Sequence, residues 1–139
     1  FIVHEDKILL VHHKKLEKWM QIGGHIELDE TPDVALLREI KEECGLEVEV
    51  LANKTSVAAS EHIQGLWQPH FVIVHQFNET HQHIDLSYVC KAITTECTLE
   101  EEAAHAIDWF VADQLADLDM FDNVRELALQ ALEIAAEAR

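Results

Sequence analysis

Apolar and polar positions divide the chain into short alternating segments first and longer helical ones later. Phe1-Ile2-Val3 and Ile8 to Val11 flank the polar run His4-Glu5-Asp6-Lys7, which predicts two strands joined by a turn. A charged loop follows through Lys18. Thr31-Pro32 then opens a helix: the threonine can accept an orphan backbone N–H at the N-cap, and proline suits the first helical position, where its missing donor costs nothing. Leu36, Leu37, Ile40 and Cys44 recur at helical spacing, and Gly45 closes the segment. Leu46 to Leu51 alternates apolar and acidic residues as a half-buried strand does, and Phe71 to Phe77 and Ile84 to Ile93 are rich in β-branched and aromatic residues. Ala106 to Val111 is a short last strand, and helical patterns cover Ala112 to Leu118 and Asn123 to Ala138. Strands, helix, strands, then helices: this order predicts an α/β chain, a mixed β-sheet sandwiched between helices (α/β/α).

Composition bounds the picture. The 139 residues, 48% hydrophobic, suit one domain over 1–139. No apolar run approaches the roughly 18 residues a membrane span needs, so a soluble protein without a membrane partner is expected. Opening on Phe1 rather than methionine, in what reads as the middle of a strand, the chain is expected to lack residues upstream. Cys44, Cys90 and Cys97 are odd in number and without CxxC spacing, which argues for reduced thiols and a cytoplasmic location. A formal net charge of −17 with only ten lysines and arginines argues against nucleic acid as a partner. It also repels phosphorylated small molecules, so a phosphate-bearing substrate would need divalent cations at its site.

Acidic spacing brings that requirement to one place. At about 100° per residue, Leu36, Leu37, Ile40 and Cys44 share one face of the predicted helix, and Glu39, Glu42 and Glu43 share the opposite one with Ala35. Like charges at i,i+3 and i,i+4 repel by a few tenths of a kcal/mol. A hard cation such as Mg²⁺, which takes carboxylate oxygens and binds substrate phosphates in its remaining positions, would relieve that repulsion.

The longer segment reads Gly24, five residues, Glu30, seven residues, then Arg38-Glu39-Ile40-Lys41-Glu42-Glu43-Cys44-Gly45-Leu46. It resembles the Nudix box, G-x5-E-x7-R-E-U-x-E-E-x-G-U with U a bulky aliphatic residue, at all nine specified positions. The resemblance to this MutT-like hydrolase family implies that Glu39, Glu42 and Glu43 ligate Mg²⁺, with Mn²⁺ able to substitute, and that the backbone carbonyl of Gly23 completes the cradle. It implies that Glu30 and Arg38 form an ion pair tying the loop to the helix. The reaction implied is a nucleotide diphosphatase's: attack of water on phosphorus in a nucleoside triphosphate or related small nucleotide. Two alternatives are hydrolysis of a nucleoside diphosphate linked to a sugar or another group, and a non-catalytic nucleotide-sensing module. In the family a general base is often a further acid before the last tryptophan-containing strand; the candidates here are Glu102 and Asp108, with Glu100 and Glu101 behind them. A monomer or a homodimer is expected.

Weaker signals stay open. Trp19 could line a nucleoside pocket or pack on the sheet, and Trp67 could stack on a base or anchor its loop. His12-His13 and His81-Gln82-His83 lack the further ligands a zinc site needs and read as structural or solvent-facing. His83 could instead reach the cleft from the start of a strand. Ile22 stands where many family members have proline, and Ser60-Glu61 where ADP-ribose hydrolases tend to carry one.

Overall fold

The computed structural model describes residues 1–139. Three strands come first, β1 (Ile2–His4), β2 (Lys7–His13) and β3 (Lys18–Met20), followed by helix α1 (Pro32–Cys44) and strand β4 (Val48–Val50). Strands β5 (Phe71–Asn78), β6 (His81–Ser87), β7 (Cys90–Ala92) and β8 (Ala104–Val111) precede helices α2 (Ala112–Leu115) and α3 (Asp122–Glu137). The main sheet runs β3-β2-β1-β7-β4, with β8 along the other edge of β2. β1 pairs with β7 in parallel and every other pairing is antiparallel, so the sheet is mixed; β5 and β6 form a separate hairpin.

Alternation along β2 sorts the core into two layers. Ile8 and Leu10 point to one face, where Val3, Val89 and Phe110 join them against Val124, Ala128, Ala131, Leu132 and Ala135 of α3. Leu9 points to the other face and meets Ile2, Cys90 and Ala92 with Ile40 and Cys44 of α1. Each face is thus covered by helix, as the α/β/α expectation required. No helix is long and apolar enough to cross a membrane.

α1 begins and ends as its sequence predicts. The Thr31 hydroxyl accepts the Val34 N–H at 3.3 Å, Pro32 opens the first turn, and Gly45 takes a left-handed φ of 72° while its N–H reaches the Ile40 and Lys41 carbonyls. The buried face differs from the expected one. Ile40 and Cys44 are buried and Leu36 is half-buried, but Leu37 is 42% exposed, and Asp33 and Ala35 are buried instead. The loop between β4 and β5 supplies the reason: it lays Trp67 against the start of α1, where the Trp67 N–H bonds both Asp33 carboxylate oxygens at 3.2 Å.

Other boundaries also shift. The charged loop ends one residue earlier than expected, since Lys18 opens the unforeseen strand β3, whose Trp19 N–H bonds the Asp119 carbonyl at 2.9 Å. The Ile84 to Ile93 segment divides, because Tyr88 and Val89 leave the β5–β6 hairpin and enter opposite core layers before β7 starts. α2 stops at Leu115 rather than Leu118, giving way to turn hydrogen bonds from Asp117 to Gln114 and from Leu118 to Leu115.

Candidate active site

The loop from β3 to α1 and the carboxylate stripe of α1 are tied by short polar contacts. Arg38 Nε and Nη2 each donate to a Glu30 carboxylate oxygen at 2.7 Å, a bidentate pair, and Nη2 also reaches the His25 carbonyl at 3.0 Å. Glu30 accepts the Glu27 N–H at 2.9 Å as well. The Arg38 hydrogen bonds, aided by that N–H, hold the Glu30 carboxyl down to about 2. On its other side, Arg38 Nη1 lies 3.0 Å from Glu39 Oε1 and 3.1 Å from Glu42 Oε2. One guanidinium therefore orients both the loop and two of the three stripe carboxylates.

Glu43 turns inward. Its Oε2 accepts the Gly23 N–H at 3.1 Å, and it lines a cavity of about 40 Å³ with Val11, His13, Gln21, Gly23, Glu100, Ala103 and Ala104. Burial pushes its carboxyl up to about 7, and the charges of Glu39, Glu100 and Glu42 add to the rise against the opposing Gly23 hydrogen bond. Gln21 Oε1, on the same cavity, is buried without a hydrogen-bond donor. Carboxylates crowded enough to favour a proton, beside an orphaned amide oxygen, make an all-oxygen donor set that fits a hard divalent cation.

The two loop glycines differ in what they permit. A Cβ built on Gly24 would overlap the Glu39 carboxylate, whereas one on Gly23 would meet nothing within 4 Å. The close approach that requires glycine is therefore Gly24's.

The remaining sequence candidates fall in different places. Glu102 is exposed in the turn before β8 and is not among the cavity's lining residues. Asp108 pairs with Leu10 across β2 and β8, which puts it on the sheet face turned away from α1, and its carboxylate accepts the Trp109 N–H at 2.8 Å. Glu100 is the acid of this segment that lines the cavity. Its loop is pinned by hydrogen bonds from the Lys14 N–H to the Ala103 carbonyl at 3.0 Å and from Lys14 Nζ to the Glu101 carbonyl. No sequence signal ranked Glu100 first, since the loop's path across the β2 end is a tertiary feature; Gln21 likewise reads as an ordinary loop amide.

Trp19 packs edge-on against Phe110, with ring centroids 4.9 Å apart, and against His12 at 5.2 Å, so it sits on the sheet face opposite α1. Trp67 anchors its loop on α1 with Lys54 Nζ 4.8 Å from its ring centroid. His83 does approach the box: its ring is 5.4 Å from that of His25, the residue after Gly24, and its Nε2 lies 2.8 Å from His81 Nε2.

The chain belongs to the Nudix family: the NUDIX domain model matches residues 1–131. A solved Nudix-family hydrolase from Clostridium perfringens is 29% identical, with a TM-score of 0.81 over 97% of this chain and 93% of its own. A MutT-like protein of Streptomyces ambofaciens is 28% identical over 118 residues, 84% of this chain and 63% of its own length. A probable DHNTP pyrophosphohydrolase of Lactococcus lactis subsp. cremoris is 29% identical over 105 residues, 72% of this chain and 55% of its own length. The chain thus spans less than two thirds of either curated relative.

Proposed function

We propose that this chain hydrolyses a diphosphate linkage in a nucleoside triphosphate or related nucleotide, with Glu39, Glu42, Glu43 and the Gly23 carbonyl holding a divalent cation, Mg²⁺ or Mn²⁺. The observation that carries this reading is the meeting of Glu43, Glu100, Gly23 and the unpartnered Gln21 oxygen around one cavity at the end of the carboxylate stripe. When bound, such a cation would neutralise phosphate charge and make water a better nucleophile at neutral pH. The chain's own groups do the rest. Arg38 and Glu30 fix the loop so that the ligands keep their geometry. Glu100, held at the cavity by the Lys14 contacts to its loop, is placed to take the proton of the attacking water, in preference to Glu102 or Asp108. The pyrophosphohydrolase relative supports a triphosphate substrate.

The test is product analysis after incubation of the purified protein with Mg²⁺ and a broad nucleotide panel. A triphosphate substrate gives a monophosphate and pyrophosphate; a linked nucleoside diphosphate gives two monophosphates. Release of neither, with Glu42→Gln and Glu43→Gln indistinguishable from wild type, would overturn the enzyme reading in favour of a sensing module.

A further inference from the structure

Three potential metal ligands converge on the sheet face opposite α1. His12 lies on β2, Glu17 ends the turn between β2 and β3, and His105 lies near the start of β8. Their ligand atoms all fall within 4.8 Å of one another, and His105 Nε2 is 3.0 Å from Glu17 Oε1. Ligands of a tetrahedral zinc ion keep separations of about 3.3 Å, given bond lengths near 2.0–2.1 Å. Exposed side chains such as His105 and Glu17 can close the difference by small rotations.

The backbone that assembles this trio is irregular at two of its members. The β2–β8 register slips between His12 and His13, whose partners are Ala106 and Ala104, so His105 is the extra residue of a β-bulge, a device that re-aims a side chain. The bulge brings the His105 ring to 5.5 Å from that of His12. Glu17 holds a left-handed φ of 53°, unusual for glutamate. On the third side, Trp19 packs edge-on against His12 and restricts its ring.

We propose that His12, Glu17 and His105 form a second metal site, specific for a late first-row divalent cation such as Zn²⁺ and distinct from the carboxylate site of α1. Two imidazoles and one carboxylate suit Zn²⁺, with water completing the coordination, whereas Mg²⁺ prefers the oxygen-rich cavity across the sheet. The bound ion clamps the β2–β3 turn to β8. These two segments flank the loop that carries Glu100, and Lys14 of the same turn already bonds that loop. The proposal stands on this geometry and does not depend on the hydrolase reading.

Zn²⁺ titration by calorimetry tests it, using the full chain stripped with chelator and then held in excess Mg²⁺ so that the α1 site is blocked. Wild type should bind one Zn²⁺. His105→Ala and Glu17→Gln, both at exposed positions, should each weaken that binding more than about 100-fold, beyond the usual cost of losing an outer-shell partner. The control variant His81→Ala/His83→Ala should bind as wild type. Co²⁺ substitution gives a second readout, a visible d–d spectrum that His105→Ala should abolish without altering the far-UV circular dichroism. Absence of Zn²⁺ binding in wild type, unchanged binding in both ligand variants, or loss of binding in the His81/His83 control would overturn the proposal.

Discussion

The Glu30 carboxylate takes both Arg38 Nε and Nη2 at 2.7 Å, while Nη1 of the same guanidinium stands between Glu39 and Glu42 at 3.0 and 3.1 Å. A planar fork serves these partners at once and a lysine ammonium cannot. Arg38→Lys should therefore lower kcat by about 10–100-fold and weaken Mg²⁺ binding, as loss of a ligand-orienting contact does, while the protein remains folded. Steady-state kinetics together with Mg²⁺ titration checks this; an unchanged kcat would show that charge alone suffices.

The same pair sets a pH dependence. The Glu30 carboxyl is held at about 2 in the folded chain, against an ordinary value of 4.5. A depressed carboxylate contributes stability that is present above its unfolded value and lost as pH falls through the folded one. The stability difference between wild type and Glu30→Gln should thus be constant above about pH 4.5 and shrink as pH falls towards about 2. Urea denaturation at a series of pH values measures it.

Glu43 behaves in the opposite sense. Burial raises its carboxyl from 4.5 to about 7, so its ionisation destabilises the fold as pH rises from about 4.5 through 7, unless a cation compensates. In chelator at pH 8, Glu43→Gln should be more stable than wild type by about 1 kcal/mol, once the shift is discounted for partial solvent screening. Millimolar Mg²⁺ should narrow or reverse the difference, and activity should be lost. Thermal melts with and without Mg²⁺ decide; equal stability in chelator would contradict this account of Glu43.

Among the acids of the segment before and within β8, Glu100 lines the cavity and Asp108 faces the other way. Glu100→Gln should reduce kcat by about 10²–10⁴-fold, the usual contribution of a positioned base. Asp108→Asn and Glu102→Gln should stay within about threefold of wild type, against the 10²-fold or more that loss of a base costs. If Asp108→Asn or Glu102→Gln falls as far as Glu100→Gln, the assignment of Glu100 fails.

What could be read from the sequence was what local rules control. The Thr31 cap, Pro32 and the αL Gly45 fixed both ends of α1, and the resemblance to the Nudix box implied the Glu30–Arg38 pair that the structure shows as bidentate. Features set by distant segments were hidden. Leu37 was expected inside because the helical wheel does not show that the loop bearing Trp67 bonds Asp33, which is buried in its stead. The continuous apolar run through Ile84 to Ile93 concealed the exit of Tyr88 and Val89 into opposite core layers. Glu100 could not be separated from its neighbours because the contacts that place its loop come from Lys14, which lies 87 positions before its partner Glu101. Likewise His12 found its neighbours only through a turn and a bulge.

Gly23 and Gly24 look interchangeable in sequence, yet an added Cβ would meet the Glu39 carboxylate at Gly24 and open space at Gly23. Gly24→Ala places its Cβ on the Glu39 carboxylate, which must rotate away from Arg38 Nη1. Because Glu39 is a flexible side chain, the fold can absorb the change, so the loss should appear in metal binding and kcat rather than in stability. Gly23→Ala meets open space, and neither glycine has a positive φ. This variant should therefore keep its activity within a small factor, with its N–H still free to donate to Glu43. Mg²⁺ affinity and kcat measured side by side for the two variants test the contrast. A Gly23→Ala variant as impaired as Gly24→Ala would mean that loop freedom, not close approach to Glu39, is what the second glycine supplies.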